Sequence, residues 1–190
     1  DRLTEGIRKL AAVKSDTLEA GSDAARAIMT TDTVPKEIAV TFEISGKTVT
    51  LGGMCKGSGM IHPNMCTMLG FLTTDLKISK PMLQKALRAD VMDSFNMISV
   101  DGDTSTNDTL LILANGLADN EEIASEGEAY DTFREALRFV TTYLARKMAG
   151  DGEGATALFE TKVIGAATKE DARTLAKAVI CSSLTKAAIF

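Results

Sequence analysis

The sequence has little of several residue types on which common functional sites depend. Its 190 residues include one histidine, His62, no tryptophan, and three cysteines without CxxC spacing. Zinc sites built on histidine usually need two or more, so no such site is expected. An odd number of cysteines without a regular framework indicates a reducing compartment, which we take to be the cytoplasm.

Long runs of one character are also missing. The net charge is -5 and there is no long basic run, so nucleic acid is not an expected partner. No apolar run approaches the roughly 18 residues of a membrane span, and no signal peptide is visible, so no membrane association is predicted. With 45% hydrophobic and 25% charged residues, the composition is that of an ordinary globular protein.

The order of helix-like and strand-like patterns predicts a mixed α and β fold. Helical spacing of apolar residues covers residues 2–13, 17–29, 80–92, 127–148 and 168–187. Strand patterns cover residues 38–44, 47–51, 67–74, 97–100 and 157–164, whereas residues 110–114 fit either type. Ser45-Gly46 predicts a hairpin between the first two strands. Asp16 is the expected N-cap of the second helix, and Thr168 with Asp171 resembles a capping box.

The most unusual segment is glycine-rich and reads KGSGMIHPNMCTMLGF, residues 56–71. Its Lys-Gly-Ser order does not fit a phosphate-binding loop, which needs Gly-Lys-Ser/Thr at the start of a helix. The dinucleotide-binding pattern GxGxxG does not fit either, because Gly57 and Gly59 would require a glycine at position 62, where the chain has histidine. His62 precedes a proline in a predicted surface turn, so we expect it to be solvated. This single histidine does not support a Ser-His-Asp triad.

Thr67 follows this glycine-rich segment and begins a predicted strand. It is either a capping hydroxyl or a nucleophile freed when the chain is cut before it. A free N-terminal amine has an ordinary pKa of about 7.7–8.0 and can act as the base for such a hydroxyl. Attack of the Thr67 hydroxyl on the carbonyl of Cys66 would form an ester, which water would cleave. Gly57 and Gly59 allow the strained backbone that this step needs.

Two acidic segments have both a structural and a functional interpretation. Residues 101–108, DGDTSTND, resemble half of a calcium loop, but Thr106 and Ile112 stand where such a loop needs Gly and Glu. We therefore expect a loop whose side chains bond its own backbone, and no metal site. Glu153 lies between two glycines after a predicted helix. It is either a solvated loop acid or an anion aimed at a ligand that the glycines let approach.

Four segments together resemble the ornithine acetyltransferase family, also called the glutamate N-acetyltransferases. They are IMTTDT (28–33), GGMCKGSGMIHPNMCTML (52–69), SFNMISVDGDTSTND (94–108) and GDGEGAT (150–156). Their order and approximate spacing fit the family, and the resemblance covers essentially the whole chain. It implies an α/β fold in which two β-sheets form a sandwich flanked by helices, an αββα-like architecture.

The resemblance implies an enzyme of the cyclic arginine pathway that moves an acetyl group from N-acetylornithine to glutamate. The reaction would be ping-pong through an acetyl group on Thr67, after autocleavage between Cys66 and Thr67. Matching positions make Thr30, Lys56, Thr67 and Glu153 substrate-binding residues. Lys56 offers a cation for a carboxylate and Glu153 an anion for an ammonium, and both are predicted to lie in loops. No cofactor or metal is implied, and acetyl-CoA as a further acetyl donor stays open.

The resemblance also implies an organisation for the chain. Residues 1–190 would be the central part of one acetyltransferase domain, with residues 1–66 ending an α-chain and residues 67–190 starting a β-chain. Two cleaved precursors would form an α/β heterotetramer. The oxyanion-hole Thr-Gly pair of the family would precede Asp1, and further substrate-binding residues would follow Phe190. We therefore expect this piece alone to be poorly active or inactive.

Two alternatives stay open. A related self-cleaving aminopeptidase or amidohydrolase would share the nucleophile and differ in the acceptor. A truncated scaffold without enzymatic activity would fit the chain's ends. The opposite charges of Lys56 and Glu153 suit ornithine and glutamate, which favours the acetyltransferase. The family usually has alanine where this chain has Cys66, and because cysteine is similarly small, we expect cleavage to be retained.

Overall fold

The computed structural model describes residues 1–62, 68–103 and 105–189. The strands are β1 (Lys36–Ile44), β2 (Lys47–Lys56), β3 (Leu69–Thr74) and β4 (Thr109–Ala114). The helices are α1 (Arg2–Val13), α2 (Leu18–Ala27), α3 (Lys80–Val91), α4 (Glu128–Gly150), α5 (Lys169–Ile180) and α6 (Ser183–Ile189). The strands form one sheet in the order β1-β2-β3-β4, so the predicted mixed α and β class is observed in these residues. None of the helices in these ranges is long and apolar enough to cross a membrane.

The direction of the strands brings several strand ends to one edge of the sheet. β1 and β2 form the predicted hairpin around Ser45 and Gly46, both of which have positive φ. β2 runs antiparallel to β3, with Lys56 opposite Leu69, and β3 runs parallel to β4, with Leu69 opposite Thr109. The end of β2 and the starts of β3 and β4 therefore lie side by side. Residues that adjoin these three ends can share one site.

Helix α4 covers the sheet with the apolar face that the sequence predicts. Phe133, Leu137, Val140 and Leu144 lie on that face and are fully buried. Burying each such side chain contributes about 1.5–3 kcal/mol, so this face is a large part of the core. Gly53 of β2 permits the close contact, because a Cβ there would lie 3.0 Å from a Leu144 methyl and 3.1 Å from a Val140 methyl.

The predicted strand over residues 97–100 is wrong. Phe95–Met97 forms a single 3-10 turn, and the Phe95 ring is buried in the core. Val100 donates one backbone hydrogen bond to the Ile61 carbonyl at 2.6 Å, which ties the two segments together without a ladder. Burial of Phe95 thus determines the local structure more than the strand propensity of this short segment.

The predicted strand over residues 157–164 is also wrong, because these residues have no regular secondary structure. Leu158 is 46% exposed and Ile164 is 81% exposed. A strand needs a neighbouring strand to satisfy its backbone groups, and none of the four strands in the described ranges lies beside this segment. The apolar residues of this segment alone were therefore not enough to predict a strand.

The single helix predicted over residues 168–187 is two helices. Cys181 ends α5, and its N–H still donates to the Lys177 carbonyl at 2.9 Å. The Ser182 hydroxyl accepts from the Thr185 N–H at 3.2 Å, which caps the start of α6. A local cap therefore competes with continuation of the first helix.

The caps are partly as predicted. Thr168 is the N-cap of α5, and its hydroxyl accepts from the Asp171 N–H at 3.0 Å. The N-cap of α2 is Thr17 rather than Asp16, because the Thr17 hydroxyl accepts from the Ala20 N–H at 3.2 Å. Both residue types are good N-caps, so the choice depended on where the helix begins.

Candidate active site at the edge of the sheet

Three of the segments that carry the family resemblance meet at the end of β2. The hydroxyls of Thr31 and Ser58 lie 2.5 Å apart and share a hydrogen bond. The Ser58 carbonyl accepts from the Glu153 N–H at 2.8 Å, and the Gly57 N–H donates to Asp32 at 2.7 Å. The segment after α2, the glycine-rich turn after β2 and the residues after α4 are thereby joined.

The buried Lys36 links two of these segments through ion pairs with two aspartates. The Lys36 ammonium lies 2.6 Å from Asp32 Oδ1 and 2.5 Å from Asp151 Oδ2, and all three side chains are buried. Asp32 also accepts from the Thr30 N–H at 3.2 Å, and Asp151 accepts from the Thr33 N–H at 3.0 Å. Each buried charge thus has an opposite charge and backbone donors, as a buried ion pair requires.

The two carboxylates of this triad stay ionised. Burial disfavours the charge on Asp32, but hydrogen bonds from Gly57 and Lys36 outweigh it and lower its pKa below 3.8. Burial also disfavours the charge on Asp151, whose pKa is lowered below 3.8 by Lys36 and Thr33. Their stabilising effect is therefore present above the unfolded-state pKa and lost as the pH falls through the lower folded-state pKa.

Lys56 is the last residue of β2 and is 9% exposed, so its predicted place in a loop is wrong. Its side chain forms no ion pair with any residue that the structure describes. The electrostatic effect of its charge reaches Asp108, whose pKa it tends to lower. A buried cation without a bound anion is costly, so Lys56 is suited to receive the carboxylate of a ligand.

Glu153 lies in the turn after α4, as predicted, and its side chain is exposed. Its carboxylate lies against Gly59, where an added Cβ would be 2.8 Å from Oε1 and 2.9 Å from Cδ. The exposure fits the interpretation of Glu153 as a loop acid, whereas its role toward a ligand stays a prediction. The absence of a side chain at Gly59 leaves room for the Glu153 carboxylate.

Gly57 has the backbone conformation that makes a glycine necessary. Its φ is +150°, and a Cβ there would lie 3.0 Å from Ile61 and 3.3 Å from the Met148 sulfur. The same residue donates its N–H to Asp32. The glycine thus turns the chain sharply after Lys56 and joins that turn to the buried triad.

The remaining predicted site residues are Thr30, Cys66 and Thr67. The Thr30 side chain is exposed beside the triad, and its N–H is held by Asp32. Cys66 and Thr67 lie outside the described residues. Met68, the next residue, is buried at the start of β3. The structure therefore brings the segments of Thr30, Lys56 and Glu153 together at the edge where Met68 enters the sheet.

Sequence reasoning assigned no role to several residues that form this site. They are Asp32, Lys36, Ser58, Asp108 and Asp151. Four of the five lie within the segments that carry the family resemblance, and Lys36 follows Asp32 by four residues. Acidic and hydroxyl residues inside those segments were the available signal.

The loop over residues 101–108 confirms one expectation and extends it. The Asp103 N–H donates to Asp101 Oδ1 at 3.1 Å, so side chains do bond the loop's own backbone. Asp101 also accepts from the N–H groups of Met60 at 2.5 Å and Ile61 at 3.0 Å. The loop thus holds the glycine-rich turn. Within the described ranges, no group of three or more His, Cys, Asp or Glu side chains is placed to hold a metal ion.

The prediction that His62 is solvated is wrong. The residue is half-buried, and its Nδ1 lies 3.0 Å from the Ser99 hydroxyl and 3.6 Å from the Cys181 sulfur. The Lys186 ammonium donates to the Ser99 carbonyl at 3.0 Å. His62 therefore helps to attach the start of α6 to the glycine-rich segment.

A cavity of about 260 Å³ lies apart from this site, between α4, α5 and residues 155–161. Its walls are largely apolar and include Ile98, Leu158 and Ile180. Thr30, Lys56 and Glu153 do not line it. The convergent charges, rather than this cavity, therefore identify the candidate active site.

The fold and the site define a mixed α/β protein with the buried Lys56 and the exposed Glu153 beside one edge of the sheet. The chain belongs to the ArgJ family, whose model matches residues 1–190. It is 57% identical over 190 residues to the arginine biosynthesis bifunctional protein ArgJ of Symbiobacterium thermophilum, covering 100% of this chain and 47% of that protein. It is 52% identical over 192 residues to arginine biosynthesis bifunctional protein ArgJ 1 of Clostridium acetobutylicum, covering 100% and 46%.

A solved structure agrees with this assignment. The chain is similar to the crystal structure of arginine biosynthesis bifunctional protein argJ from Bacillus halodurans, with a TM-score of 0.59 and 46% identity. That similarity covers 61% of this chain and 55% of the other. The predicted mixed α/β class and the family resemblance are both confirmed. The chain spans about half the length of the curated relatives that it matches.

Proposed function

We propose that the protein containing this chain is a glutamate N-acetyltransferase of arginine biosynthesis. It transfers an acetyl group from N-acetylornithine to glutamate. The observation that carries the proposal is Lys56, a buried cation that forms no ion pair with any described residue, at the strand end beside the start of β3. The names of the relatives support the pathway. Their word "bifunctional" supports a second activity, for which acetyl-CoA is the candidate acetyl donor.

In this proposal, Thr67 is the nucleophile and becomes a chain terminus when the bond to Cys66 breaks. Its freed amine then takes the hydroxyl proton, and the hydroxyl receives the acetyl group. Lys56 binds a substrate carboxylate, and Glu153 binds the side-chain ammonium of ornithine. Thr30 borders the same space. The amine of glutamate finally attacks the acetyl-threonine and leaves with the acetyl group.

The proposal includes an organisation for the whole protein. Residues 1–190 form the central part of one acetyltransferase domain, in which residues 1–66 end the α-chain and residues 67–190 start the β-chain. Two cleaved precursors form an α/β heterotetramer in the cytoplasm. Residues outside this chain supply the oxyanion hole, so the activity belongs to the full-length protein.

Acetyl transfer and peptide hydrolysis, measured side by side on the full-length protein, test the proposed reaction. We expect N-acetylornithine and glutamate to give ornithine and N-acetylglutamate, with little release of amino acids from peptides. Hydrolysis of peptides without acetyl transfer would instead support the related self-cleaving aminopeptidase. Absence of both reactions in a correctly cleaved protein would refute either enzyme.

Replacing Lys56 with methionine should weaken substrate use without unfolding the protein. Methionine fills the same buried volume but cannot pair with a carboxylate. Losing one side of a buried charge pair costs about 2–5 kcal/mol, which predicts a fall in kcat/KM of about 30-fold or more. Steady-state kinetics of the full-length variant measure this. The exposed Lys77→Met is the matched control, and an unchanged kcat/KM for Lys56→Met would remove Lys56 from the site.

Replacing Gly59 with alanine should displace the Glu153 carboxylate, because the new methyl would lie within 3 Å of it. The carboxylate ends a flexible side chain, so the fold can adapt. A misplaced charged hydrogen bond costs about 1.5–3 kcal/mol, which predicts a 10- to 100-fold fall in kcat/KM for ornithine compounds. Gly21→Ala, whose Cβ would meet no atom within 4 Å, is the control. Equal kinetics for the two variants would contradict the role of Glu153.

A further inference from the structure

Asp108, at the entry to β4, has two carboxylate oxygens in different situations. Oδ1 accepts a hydrogen bond from the Met68 N–H at 2.7 Å. Oδ2 is buried and has no hydrogen-bond partner among the residues that the structure describes. A buried carboxylate oxygen without a donor costs stability and is rare in native structures. The unused oxygen therefore needs an explanation.

The position of Asp108 along the chain suggests which group that oxygen serves. Met68 is held from both sides, since its carbonyl accepts from the Thr109 N–H at 3.0 Å. Thr67 immediately precedes Met68 in the sequence. Three covalent bonds separate the two backbone nitrogens, so standard geometry keeps them within about 4.3 Å of each other. Together with the 2.7 Å between the Met68 nitrogen and Oδ1, connectivity alone keeps the Thr67 nitrogen within about 7.0 Å of the Asp108 carboxylate.

We propose that Asp108 is a catalytic residue of the self-cleavage, in which its Oδ2 takes the proton of the Thr67 hydroxyl and passes it to the Thr67 nitrogen. This inference rests on the proposed function, because it assigns the proton transfer for the cleavage that creates the nucleophile. No further reactant is needed for the rearrangement, and water is the only reactant consumed afterwards.

The protons balance within the site. The Thr67 hydroxyl gives its proton to the Asp108 carboxylate as its oxygen adds to the carbonyl carbon of Cys66. The carbon–nitrogen bond of the peptide then breaks, and the Asp108 carboxyl gives the proton to the departing nitrogen, which becomes the amine of Thr67. The product is an ester. Water hydrolyses it, which restores the hydroxyl and leaves a carboxyl group on Cys66.

The surroundings of Asp108 suit a group that takes and returns a proton. Burial raises its pKa, whereas the Met68 N–H and the charge of Lys56 at the end of β2 oppose the rise. Lys56 is the charged group that acts on it among the described residues. The carboxylate is therefore a stronger base than an exposed aspartate, and the charge of Lys56 limits the rise of its pKa.

The test follows cleavage of the full-length precursor, made by cell-free synthesis and diluted into buffers of different pH, by denaturing mass spectrometry. In Asp108→Asn the amide oxygen can still accept from Met68, so the local fold is kept and only proton exchange is lost. We expect cleavage to slow about 100-fold or more, the usual effect of losing an acid–base group. Asp75→Asn is the matched control, because Asp75 accepts from the Thr50 N–H at 2.7 Å elsewhere on the sheet.

The pH dependence gives a second, independent readout. Cleavage of the unchanged protein should slow as the pH falls and Asp108 becomes protonated, and this limb should be absent from Asp108→Asn. Asp108→Glu, which keeps a carboxylate, should recover part of the rate. If Asp108→Asn does not fold, the acid limb of the unchanged protein decides, and its absence overturns the inference.

The outcomes separate this inference from the proposed function. Unchanged protein that is never cut refutes the self-cleavage on which both depend. If the unchanged protein and Asp108→Asn are cut at similar rates, only the proposed role of Asp108 is overturned. Slow cleavage in Asp108→Asn, with normal cleavage in Asp75→Asn and an acid limb in the unchanged protein, supports it.

Discussion

Full-length protein carrying Thr67→Ala should accumulate as one uncleaved chain without measurable acetyl transfer. Alanine has no hydroxyl, so it can neither attack the carbonyl of Cys66 nor carry an acetyl group. Removing a catalytic nucleophile typically lowers kcat by about 10⁴-fold or more, the largest effect expected for any single change here. Denaturing mass spectrometry measures the cleavage, and an acetyl transfer assay measures the activity.

Two further variants make this result specific. Thr67→Ser retains a hydroxyl and should be cleaved and active at a reduced rate. Thr73→Ala removes an exposed threonine from β3 and should behave like the unchanged protein. A Thr67→Ala protein that is still cut between residues 66 and 67 would refute self-catalysis and indicate a separate protease.

Replacing Lys36 with methionine should strongly destabilise the protein. The Lys36 side chain is fully buried between Asp32 and Asp151, so the variant leaves two buried carboxylates without their cation. Removing one partner of a buried ion pair typically costs about 3–5 kcal/mol. Guanidinium denaturation of the full-length protein measures the shift of the midpoint. Lys47→Met, which breaks an exposed pair with Asp119, should change the midpoint little.

The pH dependence of the Lys36→Met effect has a definite sign. In the unchanged protein the pKa values of Asp32 and Asp151 are lowered, so their contribution to stability falls as the pH falls through those values. Without Lys36, burial dominates and favours the protonated forms. The difference in stability between the two proteins should therefore shrink on acidification. A difference that grows at low pH would contradict the assignment of the triad.

The elements that could be predicted are those whose pattern is local. The hairpin over β1 and β2 followed from alternating residues around Ser45-Gly46, and α4 from its apolar face. Residues 157–164 show the limit of that reasoning, because a strand also needs a neighbour. The break at Cys181 shows a second limit, since the Ser182 cap competes with continuation of the helix.

The candidate site also has a part that the sequence predicts and a part that only the structure reveals. Its segments were found because long motifs resemble a family, and that resemblance is confirmed by the ArgJ family match. The ion pair between Lys36 and Asp151 joins residues that lie 115 positions apart, so no local pattern could reveal it. Asp108 was interpreted as part of a polar loop, because the unpaired state of one oxygen is visible only when its neighbours are placed.

By itself, the sequence determined the chemical inventory of this protein: a threonine after a glycine-rich segment, a lysine, a glutamate between glycines, and a mixed α/β order of elements. Those properties depend on residue type and spacing, which the sequence contains in full. Only the tertiary structure decided that Lys56 is buried at a strand end and that Lys36 links Asp32 to Asp151. It alone also showed that one oxygen of Asp108 has no hydrogen-bond partner among the described residues. Burial and pairing depend on which parts of the chain meet, and long-range packing of α4 on the sheet determines that.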